Sequence, residues 1–456
     1  MAHTGALILA AGKGTRMRSE RPKVLHTLLG EPMLWHVYRA LEGLVPDSAV
    51  WTVVGHGAQQ MRAAFPGRTP GFVVQERQLG TGHALQTAWP ALDSAGVGTL
   101  LVVNGDTPLV PRAALAALLD EFQARRPALA FLTVDLPDPG AFGRVVRDAH
   151  GAVAAIVEAK DYDPAVHGPL GGEINSGIYA LDMAAVGPLL PRLGNANASG
   201  EFYITDLVAL AVQAGLPVLG VRGGADPQLL GVNSPAELAR AEELLRASIV
   251  DGLLDAGVMV HQPGTAVVGP RAVLEPGCEI SGPCEIHGAT RIAAGASVGS
   301  NCWIRDAEIG PGALVRPFCH IEGASVGPDC QIGPFARLRP QAVTEQGARV
   351  GNFVEMKKAR LGPGAKASHL TYLGDAQVGA GANIGAGTIT CNYDGRSKHE
   401  TVIGEGAFIG SNTALVAPVR IGDRALVGAG SVITRDVGDD MLALERSRQR
   451  ELPRRK

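Results

Sequence analysis

Residues 268–304 read VGPRAVLEPGCEISGPCEIHGATRIAAGASVGSNCWI, and an aliphatic side chain returns at every sixth position: Val268, Leu274, Ile280, Ile286, Ile292, Val298 and Ile304. The same step links Ile403, Ile409, Leu415, Ile421, Val427 and Ile433. If roughly one residue in four is Leu, Ile or Val, thirteen such hits have a chance probability on the order of 10⁻⁸ before choice of register. Helices repeat at 3.6 residues and ordinary strands at two, so neither sustains a step of six. The period fits a prism-shaped coil with one hexad per face and three per turn, each aliphatic residue pointing at the axis. Gly after the aliphatic residue turns the corners, as in Val298-Gly299, Ile332-Gly333, Ile384-Gly385 and Ile409-Gly410. Stacked coils then bury a continuous core that no single coil makes.

The step shortens to five at Ile304–Ile309 and Ile321–Val326, which predicts tight corners. It fails around Val343–Val350 and again between Thr390 and Ile403. The second interruption, CNYDGRSKHET, is polar and long for a corner, so it is expected to loop out. Solenoid insertions gather on binding faces, but surface loops also tolerate such segments, and the two readings weigh about equally.

Upstream of the repeat, Ser234-Pro235-Ala236-Glu237 combines an N-cap, a first-turn Pro and a capping-box Glu. Leu238, Ala241, Leu245, Ile249 and Leu253 continue one helical face towards a stop at Gly257. Before this, strand-like runs (Gly5–Ala11, Val50–Val54, Gly71–Gln75, Thr99–Val103, Ala128–Val134) alternate with helical patterns such as Pro32–Gly43 and Pro111–Arg125. Such alternation predicts a Rossmann-like α/β domain with a mostly parallel sheet. The expected organisation is therefore 1–233 α/β, 234–257 helical linker, and 258–456 β-helix with a short basic tail from Arg446 to Lys456.

The 456 residues exceed what one core usually organises. A net charge of −3 supplies no basic field for nucleic acid. The six Cys show no CxxC spacing, which argues against a zinc site or redox pair. Ala6–Ala11 is too short for a signal peptide and no apolar run reaches membrane-span length, so a cytoplasmic protein is expected.

Strand Gly5–Ala11 runs into Gly12-Lys13-Gly14-Thr15-Arg16-Met17. Its glycines admit a phosphate and its cations neutralise one, although a bare GxG fits a plain strand-to-helix turn equally well. The wider string LAAGKGTRM with Arg21-Pro22-Lys23 resembles the signature of sugar-nucleotide pyrophosphorylases. QLGTGHA (78–84), Gly105-Asp106, Asn175-Ser176-Gly177 and EFYITD (201–206) follow in matching order. Together with NFVEMKKARLG, SHLTYLGDA and NIGAGTITCNYDG further on, nearly the whole chain resembles the family of bifunctional N-acetylglucosamine-1-phosphate uridyltransferases/glucosamine-1-phosphate N-acetyltransferases.

That resemblance implies a left-handed β-helix and two reactions: acetyl transfer from acetyl-CoA to glucosamine 1-phosphate, then uridylyl transfer from UTP to N-acetylglucosamine 1-phosphate. Leu9, Ala10, Ala11 and Gly12 would cradle the nucleotide, with Lys13, Arg16 and Lys23 on its phosphates. Gln75, Gly80 and Thr81 match positions reading uracil; Gly143, Glu158 and Asn175 match the sugar site. Asp106 and Asn233 match the Mg²⁺ ligands, although an Asp after Asn-Gly reads locally as a turn former. Asn104 stands where relatives usually carry Tyr, which leaves the nucleotide contact at 104 open.

In the carboxyl half, acetyl transfer to an amine needs a base and donors for the developing oxyanion. The resemblance makes His369 that base, a residue type more often incidental when it stands alone. It places glucosamine 1-phosphate on Arg339, Lys357, Tyr372, Asn383 and Lys398. Ala386, Asn392, Tyr393, Ser411, Ala429 and Arg446 match acetyl-CoA or oxyanion contacts. A homotrimer with acetyl sites between neighbouring coils is implied, with no nucleic acid or membrane partner. Two other readings compete: a single-activity nucleotidyltransferase whose β-helix only oligomerises, and a non-catalytic binding protein. The first predicts no acetyl-CoA turnover; the second predicts decay of Lys13, Arg16, Lys23, Asp106 and Asn233, all of which are present.

Overall fold

The structure, a computed structural model, describes residues 3–68, 71–169 and 171–454. Arg455 and Lys456, the end of the basic tail, lie outside them. Two compact units divide the chain, Met1–Glu243 and Leu244–Lys456. The division falls inside one helix, Pro235–Asp255. Ser234 Oγ accepts from the Glu237 amide at 3.3 Å. The Glu237 carboxylate accepts from the Asn233 amide at 2.6 Å, one residue before the position a reciprocal capping box would use.

In the first unit a nine-stranded sheet has the spine Val218–Arg222, Leu129–Asp135, Glu173–Asp182, Val97–Asn104, His3–Ala10, Val50–Val54 and Phe72–Val74. Glu173–Asp182 runs antiparallel to both of its neighbours; the other spine pairings are parallel. The central strands are rich in Val, Leu and Ile and buried on both faces, as covered parallel strands are. All five expected strands form, and helices Met33–Leu41 and Arg112–Arg125 lie within the expected segments. Because His3–Ala10, Val50–Val54, Phe72–Val74 and Val97–Asn104 are mutually parallel, Gly12, Gly55, Gln75 and Asp106 all emerge at one sheet edge. Open α/β sheets bind ligands there.

The second unit is a three-faced parallel β-helix. All thirteen hexad residues are buried. They stack in register: Val268, Ile286, Ile304, Ile321, Leu338, Met356 and Leu373 form one column. Val260, Ile280, Val298, Val315, Ile332 and Val350 form another. Both five-residue steps are corners turned at positive φ, by Asp306 (47°) and Gly323 (54°).

The interruption expected around Val343–Val350 is not a geometric one. Leu338, Thr344 and Val350 keep the step of six, and Thr344 is buried in register between Val326 and Leu361. Thr has nearly the shape of Val, so the column tolerates it while the aliphatic pattern loses it. Thr390 likewise points inward opposite Leu415, Cys391 still pairs with Val416, and only 392–400 departs from the coil. Stacking is close: a Cβ on Gly351 would sit 1.8 Å from the Ser368 carbonyl oxygen of the next coil. Gly351→Ala is therefore expected to destabilise the β-helix by about 3 kcal/mol, read as a lower unfolding temperature. An unchanged melting curve would show slack between these coils.

Candidate active sites

At the carboxyl edge of the first sheet lies a cleft of about 490 Å³. Leu9, Ala10, Ala11, Gly12, Lys13, Lys23, Gln75, Gly80, Thr81, Asn104 and Asp106 line it, so most of the expected nucleotide contacts meet in one place. The Gly105 amide donates to the Leu9 carbonyl at 2.9 Å, which fixes Asp106 beside the Gly12 loop. Gln75 is buried; its Nε2 reaches the Gly80 carbonyl at 3.1 Å and His83 Nδ1 at 2.8 Å. Asn104 faces Gly177 so closely that a Cβ there would lie 2.1 Å from Asn104 Nδ2.

The Val232 amide donates to the Asp106 carbonyl at 2.7 Å, bringing Asn233 alongside. The Lys23 ammonium pairs with the Asp106 carboxylate and donates to Asn233 Oδ1 at 3.0 Å. A carboxylate and an amide oxygen thus converge on one positive centre. That donor pair suits Mg²⁺, whose remaining ligands come from phosphates and water. Among the described residues no group of three or more His, Cys, Asp or Glu forms a metal cluster.

Gly143, Glu158 and Asn175 do not line the cleft, but they meet one another. The Asn175 amide donates to the Gly143 carbonyl at 2.9 Å, and a Cβ on Gly143 would lie 3.4 Å from Glu158 Oε1. Burial pushes the Glu158 carboxyl above its usual range, opposed by a 3.0 Å hydrogen bond from Thr205 Oγ1. Arg16 is exposed, one residue beyond the cleft-lining Thr15, and does not itself line the cleft.

In the β-helix the expected residues divide between two corners of the same coils. At the first corner, turned by Leu370, Gly387, Asn412 and Gly430 in successive coils, His369, Ala386, Ser411 and Ala429 each precede the corner residue. The Asn412 amide bonds the Ala386 carbonyl (2.7 Å) and the Gly430 amide bonds that of Ser411 (2.8 Å). Arg446 Nη1 reaches the Ala429 carbonyl at 3.3 Å. His369 is exposed, in register with Asn352, and its Nδ1 lies 2.8 Å from Asn352 Oδ1.

At the next corner, Lys357, Lys398 and Arg339 gather. The adjacent Lys398 ammonium, with Arg339 nearby, pushes the Lys357 pKa below its ordinary value. Arg339 also bonds Glu355 at 2.9 Å. The Tyr372 hydroxyl reaches the same corner, where a Cβ on Gly374 would meet it at 2.3 Å. Asn392 is buried and its Nδ2 donates to Asp375 at 2.5 Å, whereas Tyr393 is exposed. Asn383 stands apart, on the face that carries His369.

Residues 6–167 match the family model of the MobA-like NTP transferase domain. Residues 400–435 match that of the bacterial transferase hexapeptide, six repeats. The chain is 64% identical over 453 residues to the bifunctional protein GlmU of Nitratidesulfovibrio vulgaris (strain DSM 19637 / Miyazaki F), covering 99% of each chain. The chain belongs to the GlmU family. Two further GlmU proteins, from Oleidesulfovibrio alaskensis and Lawsonia intracellularis, are 61% and 45% identical; the matches cover 98% and 100% of this chain and 97% and 98% of theirs. As a GlmU protein it is a bifunctional transferase of UDP-N-acetylglucosamine synthesis, with nucleotidyltransferase and hexapeptide acetyltransferase domains in one chain.

Several groups at these GlmU sites escaped the sequence reading. Gln78 and Glu201 line the nucleotide cleft, inside the quoted motifs QLGTGHA and EFYITD, but neither was named as a site residue. Asn352 opens the quoted motif NFVEMKKARLG without having been given a role, and lies 17 residues before His369, one coil with a short corner. No helix among the described residues is long and apolar enough to cross a membrane, and all six Cys are unpaired.

Proposed function

We propose that residues 1–233 carry the uridylyl transfer and 258–456 the acetyl transfer, with the roles that follow. In the first site, Lys13, Arg16 and Lys23 neutralise the phosphates, so that the sugar phosphate oxygen attacks the α-phosphorus of UTP in line with departing pyrophosphate. Positioning and charge neutralisation carry such chemistry. Gln75, Gly80 and Thr81 hold uracil, and Gly143, Glu158 and Asn175 hold the sugar. Asp106 and Asn233 hold Mg²⁺, which when bound offsets charge on the phosphates.

In the second site, Arg339, Lys357 and Lys398 hold the phosphate of glucosamine 1-phosphate, with Tyr372 and Asn383 on the sugar. Three cations crowded at one exposed corner repel each other, and a dianionic ester relieves that repulsion. With Nδ1–H donated to Asn352, Nε2 of His369 is the basic nitrogen. It takes the amine proton as nitrogen attacks the thioester carbonyl and the coenzyme A thiolate leaves. Ser411 stabilises the oxyanion, and Ala386, Asn392, Tyr393, Ala429 and Arg446 line the coenzyme path. The unpaired thiols suit the cytoplasm, where UTP and acetyl-CoA are available.

One observation carries the assembly: base and phosphate cations sit at successive corners of the same coils, separated by the face bearing 355–357 and 372–374. A trimer joins the first corner of one protomer to the second corner of its neighbour. The test is complementation. Neither His369→Ala nor Lys357→Ala alone should transfer acetyl, whereas randomly mixed trimers of the two should regain about a quarter of wild-type sites. No recovery in verified mixed trimers would place the whole site within one chain.

A further inference from the structure

The excursion 392–400 leaves the repeat, and its Tyr393–Lys398 stretch is exposed throughout. That exposed stretch delivers Lys398 to the cation corner. Its shape is closed by one carboxylate. Asp394 Oδ1 accepts from the amides of Arg396 and Ser397, each at 2.7 Å, and Oδ2 lies 2.7 Å from His399 Nε2. The Asp394 amide donates to the Ser397 carbonyl at 3.2 Å, the His399 amide donates to the Asn392 carbonyl at 2.8 Å, and Tyr393 bridges Lys398. Gly395 turns the apex at φ 97°. Both chain neighbours of Lys398, Ser397 and His399, are thus fixed by Asp394. The two amides and His399 in turn hold the Asp394 carboxyl well below the usual carboxylate range, so it stays charged.

We propose that Asp394 is a positioning residue of acetyl transfer: its carboxylate locks the hairpin so that the Lys398 ammonium stands ready for the phosphate of glucosamine 1-phosphate. Holding is needed because the cluster repels itself. Lys398 faces Lys357, which Arg339 also crowds, and a slack exposed loop would swing it into water. Preorganising the loop removes that rearrangement from the binding step. The inference rests on the reading that this corner grips the phosphate.

Steady-state kinetics on the full chain separate the two. Lys398→Ala should raise KM for glucosamine 1-phosphate, and an unchanged KM would refute the phosphate reading itself. Asp394→Ala should raise the same KM roughly tenfold with kcat nearly preserved, the loss expected for charged hydrogen bonds. Asp394→Asn keeps an acceptor for the amides but not the charge, and should raise it roughly threefold. Uridylyl transfer should not change. In Asp394→Ala/Lys398→Ala, the KM should match that of Lys398→Ala alone, because a positioning residue has nothing left to position. A KM that responds to Lys398 but not to Asp394, or effects that multiply in the double variant, would overturn the proposal.

Discussion

His369→Ala is expected to lower glucosamine 1-phosphate-dependent thiol release from acetyl-CoA by about 10³-fold, with pyrophosphate release from UTP unchanged. The side chain is exposed and outside the β-helix core, so its loss opens no cavity. What disappears is the group proposed to take the amine proton. Its ring is held by Asn352 on the preceding coil, and the corner column above it offers the backbone and hydroxyl groups along which the thioester would lie. Full thiol release by the variant would place the base elsewhere. No release by the wild-type chain would favour a β-helix that only oligomerises, the reading that also predicts indifference to this substitution.

How much of this was legible in the sequence varies with how local the signal is. The hexad declares itself because every inward position must be small and apolar, and thirteen aliphatic residues satisfy that rule visibly. Thr344 and Thr390 satisfy it by shape rather than by class, so the aliphatic pattern lapses where the coil does not. The five-residue steps were readable as tight corners, but not the positive φ at Asp306 and Gly323 with which they turn. In the nucleotide cleft, Gly12, Lys13 and Asp106 follow apolar strands, but locally they read at least as well as turn formers, and only the wider motifs gave them a role. Asn233 has no local signature, because what brings it to Asp106 is a single backbone bond from Val232 across more than a hundred residues. Asn352 and Asp394 lie inside quoted motifs but were given no role for a related reason: each contacts a neighbour in the next coil or turn, and register, not the motif, makes that neighbour.

Asp106→Ala is expected to be the reciprocal lesion, reducing UTP-dependent pyrophosphate release by at least about 10³-fold while acetyl transfer continues. Asp106 is the only carboxylate in contact with Lys23 among the described residues, and it shares that ammonium with Asn233. Removing it leaves one neutral oxygen to hold a cation, too little charge to draw Mg²⁺ away from its hydration shell. It also frees Lys23 from its anchor, so the cation proposed to meet the reacting phosphates loses its fixed position. The first effect is separable from the second by Mn²⁺ titration with UTP present: the variant should show weakened metal binding before any turnover is considered. Undiminished Mn²⁺ affinity together with lost activity would mean that Asp106 serves to orient Lys23 and is not a metal ligand. Undiminished activity would remove the strand end at 106 from the site altogether.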